Sequence, residues 1–245
     1  MQSEHPRPHH HHTPPATGDA VVANLAAAHA AVRDACARSG REPTDVLLVA
    51  VSKTMPVELV RAAAAAGQRD FGENYAQELR DKAAAVPGVR WHFLGKLQRG
   101  TVRHVADLAD VVHSAEPGEA VELLAHRAES HGRTVDALAQ VDFTGRRQGA
   151  DPAELEAFLE RLHGLAGILP VGLMTLPPWT DDAEASRPYF ARLRDLRDRF
   201  RERWPGLTEL SMGMSGDYEV AVAEGATMIR LGTALFGERP APGTG

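Results

Sequence analysis

From Asp19 the apolar positions recur with a helical period. Val22, Leu25, Ala26, His29, Val32 and Ala35 share one face of a helix predicted over about 19–39, and Gly40 stands where a C-terminal cap is wanted. The period then changes. VLLVAVS (46–52) is a continuous aliphatic run, the pattern of a strand covered on both faces. Pro56 follows, suited to the first position of a helix, and VELVRAAAAA runs on to Gly67. The same exchange repeats down the chain. Strands are predicted at 69–73, 91–95, 110–116, 134–143, 168–176, 207–214 and 227–233. Helices are predicted at about 75–86, 98–108, 117–130, 152–163, 181–204 and 217–224, and ALFGE closes in a turn. Regular alternation of strand and helix calls for a parallel sheet. Eight such units, with one extra N-terminal helix, fit a single closed (β/α)8 barrel of the TIM type. An open doubly wound sheet is the alternative. No sequence motif repeats within the chain.

Composition narrows the function. A net charge of −6 offers no basic field for nucleic acid or a membrane surface. No apolar stretch reaches the roughly 18 residues of a membrane span. The single cysteine, Cys36, excludes a disulfide framework and fits a reducing, cytoplasmic compartment. The N-terminal MQSEHPRPHHHHTPPATG lacks the apolar core of a signal peptide, and its composition marks a disordered tail. Its His9–His12 run reads as low complexity or a cloning remnant. The expected organisation is a tail at 1–18, the barrel at 19–240 and a short flexible tail at 241–245.

Candidate chemistry collects where strands end. Lys53 follows the first strand, and in such barrels the active face lies at the strands' C-terminal ends. A partly desolvated lysine there loses its proton more readily, and the neutral amine attacks aldehydes to form a Schiff base. A stem snorkelling from the rim is the alternative. SMGMSGD (211–217) and RLGTALFG (230–237) follow the last two strands, where these barrels often bind phosphate. Ser215, Gly216, Gly232 and Thr233 are therefore candidate phosphate ligands, although turns also use glycine for their own geometry. Alternation in the last strand places Met228, Arg230 and Gly232 on one face, with Ile229 and Leu231 on the other. If the first face points inward, a guanidinium sits near the mouth; a structural ion pair is the alternative. Asn74, in FGENYAQE, belongs to the mouth or caps a helix. An aldehyde-seeking lysine, a phosphate cradle and an inward arginine together describe a site for pyridoxal 5′-phosphate (PLP). Arginine only donates hydrogen bonds, so it favours an unprotonated ring nitrogen. The electron sink is then weak, and the site leans toward carrying the cofactor.

Other features carry less. Seven arginines between Arg187 and Arg203 could suggest a nucleic-acid stripe. Phe190, Leu193, Leu196, Phe200 and Trp204 make a core face, however, and acids interleave the arginines, so a solvated face with i,i+4 pairs is expected. His92, His104, His113, His126, His131 and His163 show no ligand spacing, and no metal site is expected; His92 should be a hydrogen-bonded interior residue.

AVSKT (50–54), FGENYAQE (71–78), WHFLGKLQ (91–98), GLMTLPP (172–178) and LSMGMSGDYEVAVAEGATMIRLGTALFG (210–237) closely resemble the pyridoxal phosphate homeostasis proteins, in order, from about Ala20 to Arg239. The resemblance implies a barrel related to the alanine racemase N-terminal domain, the type III fold of PLP proteins. It implies PLP linked to Lys53, phosphate contacts around Ser215, Gly232 and Thr233, Arg230 at the ring nitrogen, and Asn74 and Met174 close by. Members are regarded as cofactor-handling proteins without established turnover, so PLP, amino acids and apo PLP-dependent enzymes are the implied partners. The chain departs from the family at Arg99-Gly100-Thr101, where Asn-Lys often follows the motif, and at Gln148, often a lysine. Arg146 and Arg147 stand nearby as substitutes. A racemase-like enzyme is the alternative; 245 residues leave no room for the second domain that supplies alanine racemase's tyrosine base. Of Tyr75, Tyr189 and Tyr218, the last is the candidate proton donor. A cofactor-free Schiff-base aldolase is the third reading. Lacking a shared site, the chain is expected to be a monomer.

Overall fold

The structure, a computed structural model, describes residues 17–237; the His9–His12 run and the 241–245 tail lie outside the described residues. The elements are α1 (Gly18–Arg38), β1 (Leu47–Val51), α2 (Val57–Ala65), β2 (Asp70–Glu73), α3 (Ala76–Ala85), β3 (Arg90–Phe93), α4 (Val102–Leu108), β4 (Val111–Ala115), α5 (Glu119–Ser130), β5 (Val135–Val141), α6 (Leu155–His163), β6 (Ile168–Thr175), α7 (Arg187–Arg201), β7 (Glu209–Ser211), α8 (Tyr218–Ala223), β8 (Met228–Leu231) and α9 (Thr233–Phe236). All pairings are parallel, in sequence order, and β1 closes on β8 through Leu48 beside Ile229 and Ala50 beside Leu231. The sheet is thus the closed barrel and not the open alternative.

Alternation sorts the core into two compartments. Leu48 and Ala50 face the shell between strands and helices, as do Phe71, Trp91 and Phe93. Val111, Leu138, Met174 and Met228 fill the barrel interior, with Leu47 packed against them. Ile229 and Leu231 face the shell and Met228 the interior, so the face that alternation gives to Met228, Arg230 and Gly232 is the inward one.

Three local expectations change. The buried face of α1 carries Val21, Leu25, Val32, Ala35 and Cys36, while Val22 is 42% exposed. An alanine-rich helix has two stripes of nearly equal hydrophobicity, and packing against α2, α8 and α9 selects one. The helix expected over 181–204 is instead a 3-10 turn at Ala183–Ser186 followed by α7. Pro188 lies in the first turn of α7, where its missing N–H costs nothing. The arginines of α7 and the turn after it pair mostly across elements or with immediate neighbours, not at i,i+4: Arg187 and Arg194 share Glu224, and Arg203, just past α7, reaches Glu156 and Glu160.

Candidate functional site

A cavity of about 530 Å³ opens at the C-terminal ends of the strands, and Lys53, Asn74, Met174, Ser215, Gly216, Arg230, Gly232 and Thr233 all line it. Closure of the barrel brings together every residue singled out for the site, from five strand ends.

Lys53 stands two positions beyond Val51, which also lines the cavity, so it continues the inward side of β1. Its neighbours are held from the outside. Lys82 Nζ, on α3, donates to the Ser52 carbonyl at 2.6 Å, to Glu73 Oε1 at 2.7 Å and to Glu78 Oε2 at 2.7 Å. Glu78 Oε2 also accepts from the Thr54 N–H at 2.7 Å, and the Ser52 hydroxyl donates to Glu73 Oε1 at 2.6 Å. The chain is therefore tied immediately before and after Lys53 by one largely buried ionic cluster. At the second tie Thr54 adopts φ 62°, a left-handed conformation that costs a β-branched residue on the order of 1–3 kcal/mol. Burial pushes the Glu73 carboxyl up, and the Lys82 charge and hydrogen bond partly offset it. The reading of the residues missed this cluster. Its one local trace is the i,i+4 spacing of Glu78 and Lys82.

Arg230 is 5% exposed. Its Nη1 donates to Ser211 Oγ and its Nη2 to the Thr175 carbonyl at 3.1 Å. Desolvation pushes it down to about 10, so it stays cationic at neutral pH. Among the described residues it forms no ion pair, which answers the structural alternative. Asn74 is not a helix cap either: Tyr75 occupies the cap position of α3. The buried Asn74 Oδ1 has no hydrogen-bond partner among the described residues, an orphan acceptor that a ligand donor would satisfy. Gly95 makes this placement possible, since a Cβ there would stand 1.9 Å from the Asn74 carbonyl oxygen.

The two loops after β7 and β8 form the opposite wall. Gly213 turns the first loop at φ 92°, and a Cβ there would meet Ala221 Cβ at 2.6 Å, so glycine is required for both reasons. This turn ends β7 earlier than expected. The Ser215 and Thr233 hydroxyls lie 3.4 Å apart. Among the described residues the N–H groups of Ser215, Gly216 and Thr233 find no hydrogen-bond partner. Asp217 also lines the cavity, but its two carboxylate oxygens already accept from the Met214 N–H and the Ser186 hydroxyl, and the converging hydroxyls and unpaired amides suit a phosphate. A Cβ at Gly216 would touch nothing within 4 Å, so its absence only widens the cup.

Tyr218, the candidate proton donor, does not line the cavity; its hydroxyl donates to Glu219 Oε1 at 3.4 Å. Neither do Tyr75 and Tyr189. Of the two arginines beside Gln148, Arg147 reaches the cavity. Its loop is folded around Asp142, which accepts from the N–H groups of Thr144 and Arg147 at 2.8 and 2.7 Å. Beneath Arg230, His92 and His113 are both fully buried and hydrogen-bonded to each other at 2.8 Å. The interior character of His92 was legible in advance; its partner was not.

Residues 23–240 match the family model of the alanine racemase N-terminal domain. The pyridoxal phosphate homeostasis protein of Pseudomonas aeruginosa is 40% identical over 223 residues, spanning 89% of this chain and 96% of that protein. That of Aquifex aeolicus is 38% identical over 213 residues, spanning 85% of this chain and 93% of that protein. The chain belongs to the pyridoxal phosphate homeostasis protein family. Among solved structures, PipY of Synechococcus elongatus, with PLP bound, superposes with TM-score 0.79 at 39% identity, covering 89% of this chain and all of that one. Alanine racemase from Corynebacterium glutamicum shares the fold, with TM-score 0.66 at 18% identity, covering 91% of this chain and 61% of that one. No helix among the described residues is long and apolar enough to cross a membrane.

Proposed function

We propose that this homeostasis-family protein binds PLP in the cavity, with its aldehyde on Lys53, its phosphate in the Ser215–Gly216–Gly232–Thr233 cup and its ring nitrogen facing Arg230, and that it stores, buffers or delivers the cofactor. The observation that carries the reading is the convergence on one cavity of a lysine, a buried arginine and a cup of hydroxyls and unpaired amides. Asn74 Oδ1 and Met174 complete the wall beside the ring. When bound, the cofactor supplies an aldehyde carbon able to exchange one amine for another, which fits delivery to amino acids or apo PLP-dependent enzymes. The chain's own residues grip the phosphate, hold the lysine at one place on the rim and present a permanent cation to the ring. The protein acts in this reading as a cytoplasmic monomer. No tyrosine stands at the cavity to move protons, which favours a carrier over a racemase.

The purified protein incubated with PLP should absorb in the visible, lose that band on borohydride reduction, and carry the added mass on the peptide containing Lys53. Full loading without any hydride-fixed mass on that peptide overturns the reading. Ser215→Ala and Thr233→Val each remove one hydrogen bond to an anion and should weaken PLP binding about tenfold. Competition by inorganic phosphate measures the same cup: its inhibition constant should rise in both variants, and an unchanged constant would move the phosphate elsewhere.

A further inference from the structure

A hydrogen-bonded chain crosses the barrel interior below the cavity. Arg230 Nη1 donates to Ser211 Oγ. Ser211 Oγ lies 2.7 Å from His113 Nδ1, His113 Nε2 lies 2.8 Å from His92 Nδ1, and His92 Nε2 lies 2.9 Å from Asp70 Oδ1. Five residues from five strands are involved. Ser211, His92 and His113 are fully buried, and Asp70, the first residue of β2, is the partly exposed end. Arg90 and Asp110 act on the His92 end by charge, and Asp136 pairs with Arg90.

The donors in this chain can be ordered. Arginine has no acceptor, so Ser211 Oγ must accept from Arg230. If Ser211 gives its own proton to His113 Nδ1, then His113 carries its proton on Nε2 and gives it to His92 Nδ1. His92 in turn carries its proton on Nε2 and gives it to the Asp70 carboxylate. Every link then holds one proton and both rings are neutral. The reverse order requires a neutral carboxyl at Asp70. Burial supports neutral rings, since desolvation pushes both histidines down.

We propose that Asp70, His92 and His113 are positioning residues for the cofactor edge of the cavity: by committing the Ser211 proton downward, they leave only lone pairs facing Arg230 and hold its guanidinium in one orientation. The Thr175 carbonyl fixes a second nitrogen of the same group. The remaining N–H groups then keep a constant direction toward the cavity. This inference rests on the reading that places the PLP ring nitrogen at Arg230. None of Asp70, His92 and His113 lines the cavity, so they act only through Ser211.

Two measurements test it. In the cofactor-free protein labelled with 15N-histidine, long-range 15N–1H spectra at pH 7 should show both rings neutral and protonated at Nε2. A cation or an Nδ1–H tautomer on either ring overturns the chain, whatever the protein binds. In the PLP-loaded protein, His92→Phe should release PLP about tenfold faster, with slow-exchanging Arg230 guanidinium signals broadened and Lys53 still trapped by borohydride. His92→Gln, which keeps an acceptor, should stay near wild type. Unchanged release and unchanged guanidinium signals in a folded His92→Phe protein overturn the proposal. If that variant does not fold, Asp70→Leu makes the same test from the partly exposed end, with the same two outcomes. A wild-type protein that takes up no PLP defeats the reading of the cavity, and the histidine spectra still decide the chain.

Discussion

Lys53→Ala gives a folded protein to which hydride reduction fixes no PLP: this is the largest functional effect expected of a single substitution. The two neighbours of Lys53 are tied through main-chain atoms, the Ser52 carbonyl and the Thr54 N–H, and alanine keeps both ties. The Lys53 side chain lies at the cavity and not within the packed shell. The stability change should therefore stay well short of the several kcal/mol of a core truncation, while the covalently trapped mass falls to zero. Non-covalent binding should persist, because Ser215, Thr233 and Arg230 are untouched. Mass spectrometry after borohydride, paired with a thermal melt, separates these outcomes. A trapped mass in Lys53→Ala equal to wild type would assign the amine to another residue.

The largest effect on stability is expected from Lys82→Met. The side chain of Lys82 is 7% exposed, and that of Glu73 is not exposed at all. Methionine fills the space of the stem but leaves Glu73 without its cation and Glu78 with half its partners. Breaking a buried pair by removing one member costs about 3–5 kcal/mol, or roughly 6–20 °C in Tm at about 2–4 °C per kcal/mol. The pH dependence gives the cause away. Burial already raises the Glu73 carboxyl, and Lys82 opposes the rise, so removing Lys82 raises it further. As pH falls through that raised value, the folded variant takes up a proton that the unfolded chain does not yet bind. Its deficit should shrink as pH falls from neutral toward the ordinary carboxylate range. Urea denaturation at both ends of the window tests this. A deficit below about 1 kcal/mol, or one that grows on acidification, would show that the cluster is not held as described. Because Lys82 also holds the Ser52 carbonyl, PLP loading onto Lys53 should slow in the same variant.

The barrel was legible from periodicity because its signals are local. The run Leu47–Val51 declares a strand, and the period of two carries directly to Lys53 at its exit and to Arg230 in β8. Counting strands then placed Ser215, Gly216, Gly232 and Thr233 at the mouth before any contact was known. Composition added only exclusions, and the order of motifs added the family. Where two stripes or two breaks were nearly equal in local terms, as in α1 or at Ser186–Arg187, packing against other elements chose.

What the chain alone determined was which strand ends meet and what chemistry they carry, because neighbours two to four positions apart encode alternation, caps and turns. What only the tertiary structure decided was how that chemistry is held. The tie of Lys82 to Ser52 spans 30 positions, and that of His113 to Ser211 spans 98. No periodicity reports contacts at such separations. They form when the ring of strands closes, and burial then obliges each polar group inside to find a partner, which turns an unremarked lysine and two scattered histidines into the support of the site.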